Sequence, residues 1–283
     1  MGAIKKSDIP VVILAGGLGT RLREETEFRP KPMVTIGGRP ILWHIMKLYS
    51  YFGFNKFIIC LGYKGEMIKE YFFKYRLQDL DFTINTKTGL LTESSIKKEE
   101  WEVTLVNTGD TNQTGSRVAQ IADYIKTDTF MLTYGDGIAN VDIKKLIDFH
   151  FSHNKIATLT GVYPPTRFGH LKLNENKVES FLEKQRFATS WINGGFFVLN
   201  KKVLDLVSKN ESCIFEKDVL PILCDTDELM AYKHTDFWYC MDTIRDKEHL
   251  ESLWKNNAPW KVWQDDSNYY RTQSIKSAGE LVL

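Results

Sequence analysis

The stretch VVILAGGLGTRLREETEFRPKPM, from Val11 to Met33, begins as an apolar, β-branched run and stops at two glycines. Five apolar residues in a row, Val11 to Ala15, read as a short strand buried on both faces, as in parallel sheets covered by helices on each side. In such sheets ligands bind beyond the carboxyl ends of the strands. Gly16, Gly17 and Gly19 stand at that end, where glycine lets backbone N–H groups approach a phosphate and form an anion-binding concavity. Arg21 and Lys31 add two cations to the same connection, and Pro30 and Pro32 restrict the backbone around Lys31. A tight turn would need the glycines alone; the cations point to a phosphate ligand. Two well-known phosphate loops do not fit. Gly19 is followed by Thr20-Arg21 rather than Lys-Ser/Thr, and Leu22 stands where a dinucleotide fingerprint has its third glycine.

Outward from this loop, helical and extended patterns alternate. Ile41 to Phe52 has helical spacing behind Pro40, Lys56 to Leu61 reads as a second buried strand, and Gly65 to Tyr75 as a helix. A helix over Val118 to Ile125 precedes a third core strand, Thr129 to Thr133, which runs into Tyr134-Gly135-Asp136-Gly137. Ile143 to His153 is helical and Ala157 to Val162 extended. From Phe168 the runs His170 to Leu173, Val178 to Glu183 and Gly195 to Leu199 are extended; helices return at Asp218 to Cys224 and Asp246 to Lys255. The pattern predicts an α/β fold with a mostly parallel central sheet, helices on both faces and an added mixed β region.

With 283 residues, 43% apolar and 26% charged, the chain has the composition of a soluble globular protein. Thirty-seven Lys and Arg against 36 acidic residues give a net charge of +1, no sign of nucleic-acid or membrane binding, so local cations must hold any anionic ligand. No apolar run approaches the roughly 20 residues of a membrane span. Cys60, Cys213, Cys224 and Cys240 are scattered and read as reduced thiols of a cytoplasmic protein. No linker interrupts residues 1–263, so a single domain is expected there, and the polar tail 264–283 reads as a surface arm. Asp142 and Asp246 read as caps or exposed charges, His44 as a helix-face histidine, the aromatics of EYFFKYRL as packing and surface, and Lys97-Lys98-Glu99-Glu100 as a solvated charge run.

The stretches LAGGLGTRLREET…RPKPM, GGRPILWHIMKLYSYFG, FIICLGYKGEMIKEYF, TLVNTGDTNQTGSR, TYGDGIANVDI, WINGGFFVLN, FWYCMDTIRDKEHLESLW and APWKVW occur in this order across about Val11 to Trp263. Together they resemble the cytidylyl-transferring branch of the sugar-1-phosphate nucleotidylyltransferase family. The resemblance implies a Rossmann-like nucleotidyltransferase fold, with a nucleotide-binding half over about 11–140 and a sugar-binding half over about 141–263. It implies the substrates CTP and glucose 1-phosphate, the products CDP-glucose and pyrophosphate, Mg²⁺ as cofactor, and a homo-oligomer, a hexamer among the forms it allows. Carried onto this sequence, the loop Leu14, Ala15, Gly16, Gly17, Gly19, Thr20 and Arg21 wraps the nucleotide. Arg21 faces the departing β- and γ-phosphates, Lys31 the α-phosphate, and Gly135 lies beside them. Asp136 and Asp242 bind the metal. Asn112, Gly115 and Arg117 lie on the cytosine side. Glu183, Lys184, Asn193 and Gly194 receive the sugar phosphate. Gln185 stands where the family pattern has proline. The same chemistry with UTP, dTTP or another acceptor stays open. So does a sugar-nucleotide-dependent glycosyltransferase, although that class commonly carries Asp-x-Asp where this chain has Gly135-Asp136-Gly137.

Overall fold

The computed structural model describes residues 6–75, 82–93, 99–164, 170–175, 177–182, 190–264 and 280–281. A seven-stranded sheet runs through its centre. In chain order its strands are β1 (Val11–Ala15), β2 (Lys56–Leu61), β3 (Glu102–Asn107), β4 (Thr129–Tyr134), β5 (Ala157–Val162), β6 (Ile192–Asn200) and β7 (Leu229–His234). Across the sheet they lie in the order β7-β5-β6-β4-β1-β2-β3. Neighbours run parallel except at β6, which is antiparallel to both β4 and β5. The mixed β region expected after Phe168 therefore divides. Its last run, β6, joins the central sheet in reverse, and His170–Asn174 pairs with Lys177–Leu182 as a separate hairpin.

The unbroken apolar run of β1 reflects cover on both faces. Val11, Ile13 and Ala15 pack into one core with Ile41, Ile45 and Tyr49 of helix α1 (Ile41–Tyr51). Val12 and Leu14 point the other way, into a core with Val118, Phe130 and Phe215. Alternate side chains of a strand face opposite sides, so each layer claims every second residue. Edge strands β3 and β7 escaped the sequence reading for the converse reason. Glu102 and Asn107, and Ala231 and Lys233, are exposed, so neither segment is a continuous apolar run. Helix α2 spans Gly65–Lys74. The helix expected over Val118 to Ile125 starts earlier, as α3 (Thr114–Gln120), and gives way to a 3₁₀ turn at Ala122–Tyr124. Its first turn holds Gly115 and Ser116, which carry no apolar signal. Helices α4 (Ile143–His153) and α5 (Ile244–Asn256) follow. Among the described residues no helix is long and apolar enough to cross a membrane.

Two polar groups are more buried than their sequence context suggests. Glu99 accepts hydrogen bonds from Tyr75 Oη at 2.7 Å and Lys47 Nζ at 3.0 Å, so it anchors α1 and α2 instead of lying in a solvated run. His44 is fully buried, ringed by Trp43, Trp254, Trp260 and Trp263. Its Nδ1 accepts from Trp260 Nε1 at 3.3 Å, so Nε2 carries the ring proton and donates to the Ile36 carbonyl at 2.8 Å. A second proton, on Nδ1, would face the indole N–H of Trp260. Burial accordingly pulls the imidazole down to about 4 from 6.5.

The sign of the pH effect follows. Between pH 6.5 and 4 the unfolded chain takes up a proton at this position and the folded chain does not, so folded stability is greatest above 6.5 and falls as pH drops. The fall approaches about 3 kcal/mol at pH 4. Thermal melts from pH 7.5 to 4.5 should show a Tm decline in the wild type that is shallower in His44→Gln. Equal slopes would mean that other groups carry the acid sensitivity.

Candidate active site

The carboxyl ends of β1, β2 and β4 fall at one sheet edge, as the pairings Leu14 with Cys60 and Leu14 with Tyr134 require. Because β6 runs the other way, its beginning comes to that same edge, with Phe196 opposite Thr133 and Asn193 beyond it. A cleft of about 510 Å³ opens there. Leu14, Ala15, Gly16, Gly17, Gly19, Thr20, Arg21, Lys31, Asn112, Arg117, Gly135, Asp136, Asn193 and Asp242 all line it. These positions were expected from the sequence, and the fold gathers them in one place. Gly115 and Gly194 are not among the lining residues. A Cβ on Gly115 would press on Cys213, and one on Gly194 on Val162, so both glycines serve close packing behind the wall. Glu183 and Lys184 lie outside the described residues.

The glycine loop is held from two directions. Gly19 adopts the left-handed conformation (φ 63°), and a Cβ there would stand 2.7 Å from Thr26 Cγ2. The Thr26 hydroxyl donates to the Gly19 carbonyl at 3.1 Å and closes the turn. From below, the buried Arg117 guanidinium donates to the carbonyls of Gly16 at 2.9 Å, Leu61 at 3.0 Å and Gly109 at 2.7 Å, and to Thr108 Oγ1 at 2.8 Å. A Cβ on Gly16 would collide with that guanidinium. The position expected beside the base thus spends its two terminal nitrogens on backbone carbonyls and one threonine hydroxyl, joining the β1 loop, the end of β2 and the turn after β3. Five fixed N–H donors suit arginine to such a junction.

At the other end of the cleft, charges meet. Lys31 Nζ lies 2.6 Å from Asp136 Oδ2 and 2.7 Å from Asp242 Oδ1, and Arg21 reaches Asp242 Oδ2 at 2.9 Å. Burial pulls the Lys31 ammonium down, but Asp136 and Asp242 outweigh it, and its pKa lies above the usual lysine value. Asp242 is also pushed up by burial, but Lys31 and Arg21 together hold it below the usual carboxylate range. The Arg21 side chain is 71% exposed and so can leave this pairing at little cost.

Asp136, Asp242 and Cys240 place ligand atoms within 4.8 Å of one another. Burial, and then the Asp136 carboxylate, push the Cys240 thiol far up, so it stays protonated. Two carboxylates without a thiolate make a hard donor set of the kind that holds Mg²⁺ together with substrate phosphates. Asp242 is placed by Asp246, a buried capping residue. Asp246 Oδ2 accepts from the backbone N–H of Asp242 at 3.1 Å and Thr243 at 2.9 Å, and Oδ1 from Tyr239 Oη at 3.1 Å. Asp142, by contrast, is a plain helix cap, accepting from the Lys145 N–H at 2.9 Å.

Sequence reasoning missed Tyr134, Thr114, Trp238 and Cys240 as wall residues of the cleft. Tyr134 had the nearest signal, as the last strand residue before Gly135-Asp136. Trp238 and Cys240 lay within an apolar run that led to Asp242.

A glycine loop at the end of β1, a cation beside two carboxylates and a reversed strand completing the cleft describe a nucleotidyl-transferring enzyme. The chain belongs to the nucleotidyl transferase family, whose model, described as Nucleotidyl transferase, matches residues 10–265. It is similar to the glucose-1-phosphate cytidylyltransferases of Salmonella typhimurium and Salmonella typhi. Identity is 53% over 255 residues with each, covering 89% of this chain and 99% of theirs. Among solved structures it is similar to HddC from Yersinia pseudotuberculosis, with 26% identity, a TM-score of 0.63 and coverage of 87% of this chain and 99% of that one.

Proposed function

We propose that this protein transfers the cytidylyl group of CTP to glucose 1-phosphate, giving CDP-glucose and pyrophosphate. The observation that carries the reading is the single cleft in which the glycine loop, Arg21, Lys31, Asp136, Asp242 and Asn193 converge. The 53% identity to glucose-1-phosphate cytidylyltransferases supports the choice of substrates.

An oxygen of the sugar phosphate attacks the α-phosphorus of CTP. That P–O bond forms as the bond from the α-phosphorus to the bridging α,β-oxygen breaks, and pyrophosphate leaves with the electron pair. Both reactants are anions, so the work is positioning and charge neutralisation. The loop Leu14 to Arg21 holds the triphosphate. Arg21 swings from Asp242 to the β- and γ-phosphates. Lys31 leaves the two carboxylates for the α-phosphate. Asp136 and Asp242 would hold Mg²⁺, which when bound would supply charge neutralisation to the phosphates. Asn193 meets the sugar, with Glu183 and Lys184 completing the acceptor side. The four free thiols suit a reducing, cytoplasmic setting.

Pyrophosphate release, measured with CTP, UTP, dTTP and GTP crossed against several sugar 1-phosphates, tests the reading. CTP with glucose 1-phosphate is the expected best pair. A higher kcat/KM for another nucleotide with every acceptor would refute the cytidylyl assignment.

A further inference from the structure

One carboxylate behind the cleft wall ties its two ends together. Glu216 lies in the wide turn Phe215–Val219, whose π-type backbone is frequent at functional sites. Its Oε2 accepts from Thr114 Oγ1 at 2.6 Å, and its Oε1 accepts from the Tyr134 hydroxyl. Thr114 opens helix α3, and its Oγ1 also receives the Phe215 N–H at 2.9 Å. On the acceptor side, Asn193 Nδ2 donates to Tyr134 Oη at 3.1 Å, while Asn193 Oδ1 accepts from the Gly195 N–H at 2.8 Å.

The direction of each bond in this chain is determined. A phenol has one proton, and the carboxylate takes it, so the phenol oxygen can only accept from Asn193. The Asn193 oxygen is already committed to Gly195. Its amide nitrogen therefore gives one N–H to Tyr134 and keeps the second for the cleft. Gly195 has φ 79°, and a Cβ there would overlap the Tyr134 ring. The second glycine of Asn-Gly-Gly thus admits the phenol that aims the asparagine.

We infer that Glu216 is a positioning residue that aims the Asn193 amide through Tyr134 and, with its other oxygen, holds the first turn of α3, linking the sugar and nucleotide ends of the cleft. This rests on the reading of Asn193 as a sugar contact. A carboxylate that merely glued α3 to the turn would affect stability on removal but would not choose between sugars.

The test compares wild type, Glu216→Gln, Glu216→Ala, Asn193→Ala and the Glu216→Ala/Asn193→Ala double variant. Each is assayed with the substrate pair that the wild type turns over fastest, and with acceptor epimers at C2 and C4. Losing a charge-assisted hydrogen bond in the chain should raise the sugar-phosphate KM in Glu216→Ala about tenfold. Preference over the epimers should fall by about the same factor, and the nucleotide KM should rise about threefold. Glu216→Gln, which keeps the shape but loses one acceptor, should fall between. In the double variant Asn193→Ala should add no further loss of epimer preference. If Glu216→Ala does not fold, Glu216→Gln decides alone. Epimer preference within twofold of wild type in every folded Glu216 variant overturns the inference, as does full additivity in the double variant. A wild type that prefers another pair would overturn the proposed substrates instead, and the same measurements on that pair would still decide the role of Glu216.

Discussion

Asp242→Asn should lower kcat by at least about a hundredfold, the scale for removing one preorganised electrostatic contact, while leaving the fold intact. The backbone of residue 242 is held by Asp246 through its N–H, which asparagine retains, so the side chain should stay where it is and lose only its charge. Asp136→Asn should behave alike, because the two carboxylates share Lys31 in the resting enzyme. Direct titration with Mn²⁺, followed by electron paramagnetic resonance, should show weakened metal binding in both variants. A folded Asp242→Asn enzyme with near-normal turnover and metal affinity would reduce Asp242 to the residue before a helix cap.

Lys31→Ala should have an effect of similar size on kcat and the opposite effect on the metal. In the proposed reaction Lys31 acts where charge shifts at the α-phosphate, so its loss should be felt most in the transition state. In the resting enzyme, however, its ammonium bridges the two carboxylates at 2.6 and 2.7 Å, occupying the space between them. Removing it leaves the two carboxylates facing one another with only the exposed Arg21 on Asp242, and they bind a divalent cation more readily. Turnover should therefore fall by about a hundredfold or more while Mn²⁺ binds more tightly. If turnover and metal affinity dropped together, Lys31 would be organising the carboxylates and not competing for them.

How much of this could be read from residues alone depended on how far apart the interacting groups lie. β1 and its loop were legible because burial on both faces demands an unbroken apolar run and the glycines and cations follow directly. Asp136 was marked by its place at a strand end. Its association with Asp242 was not, since the lysine between them is 105 positions from one and 211 from the other, and only the family resemblance joined them. Arg117 was noticed, but its partners are mostly carbonyls, which have no side-chain signature, so its role as a backbone junction was invisible. Glu216 carried no signal, because the chain Thr114, Glu216, Tyr134 and Asn193 is assembled from four separate segments. His44 was underestimated for the same reason. A histidine amid apolar helix residues does not announce that three of its four tryptophan neighbours come from the far end of the chain.

That last arrangement bears on how the protein is made. Helix α1 leaves the ribosome early, but Trp260, which donates to its histidine, follows 216 positions later. At about 5–20 residues per second, the apolar face of α1 waits roughly 10–40 s for its cover. Lys247 of α5, which pairs with Glu25 beside the glycine loop, is nearly as late. The glycine-loop end of the cleft, encoded first, is therefore finished last, and a nascent chain stalled before α5 exposes a sticky, incomplete core to its neighbours.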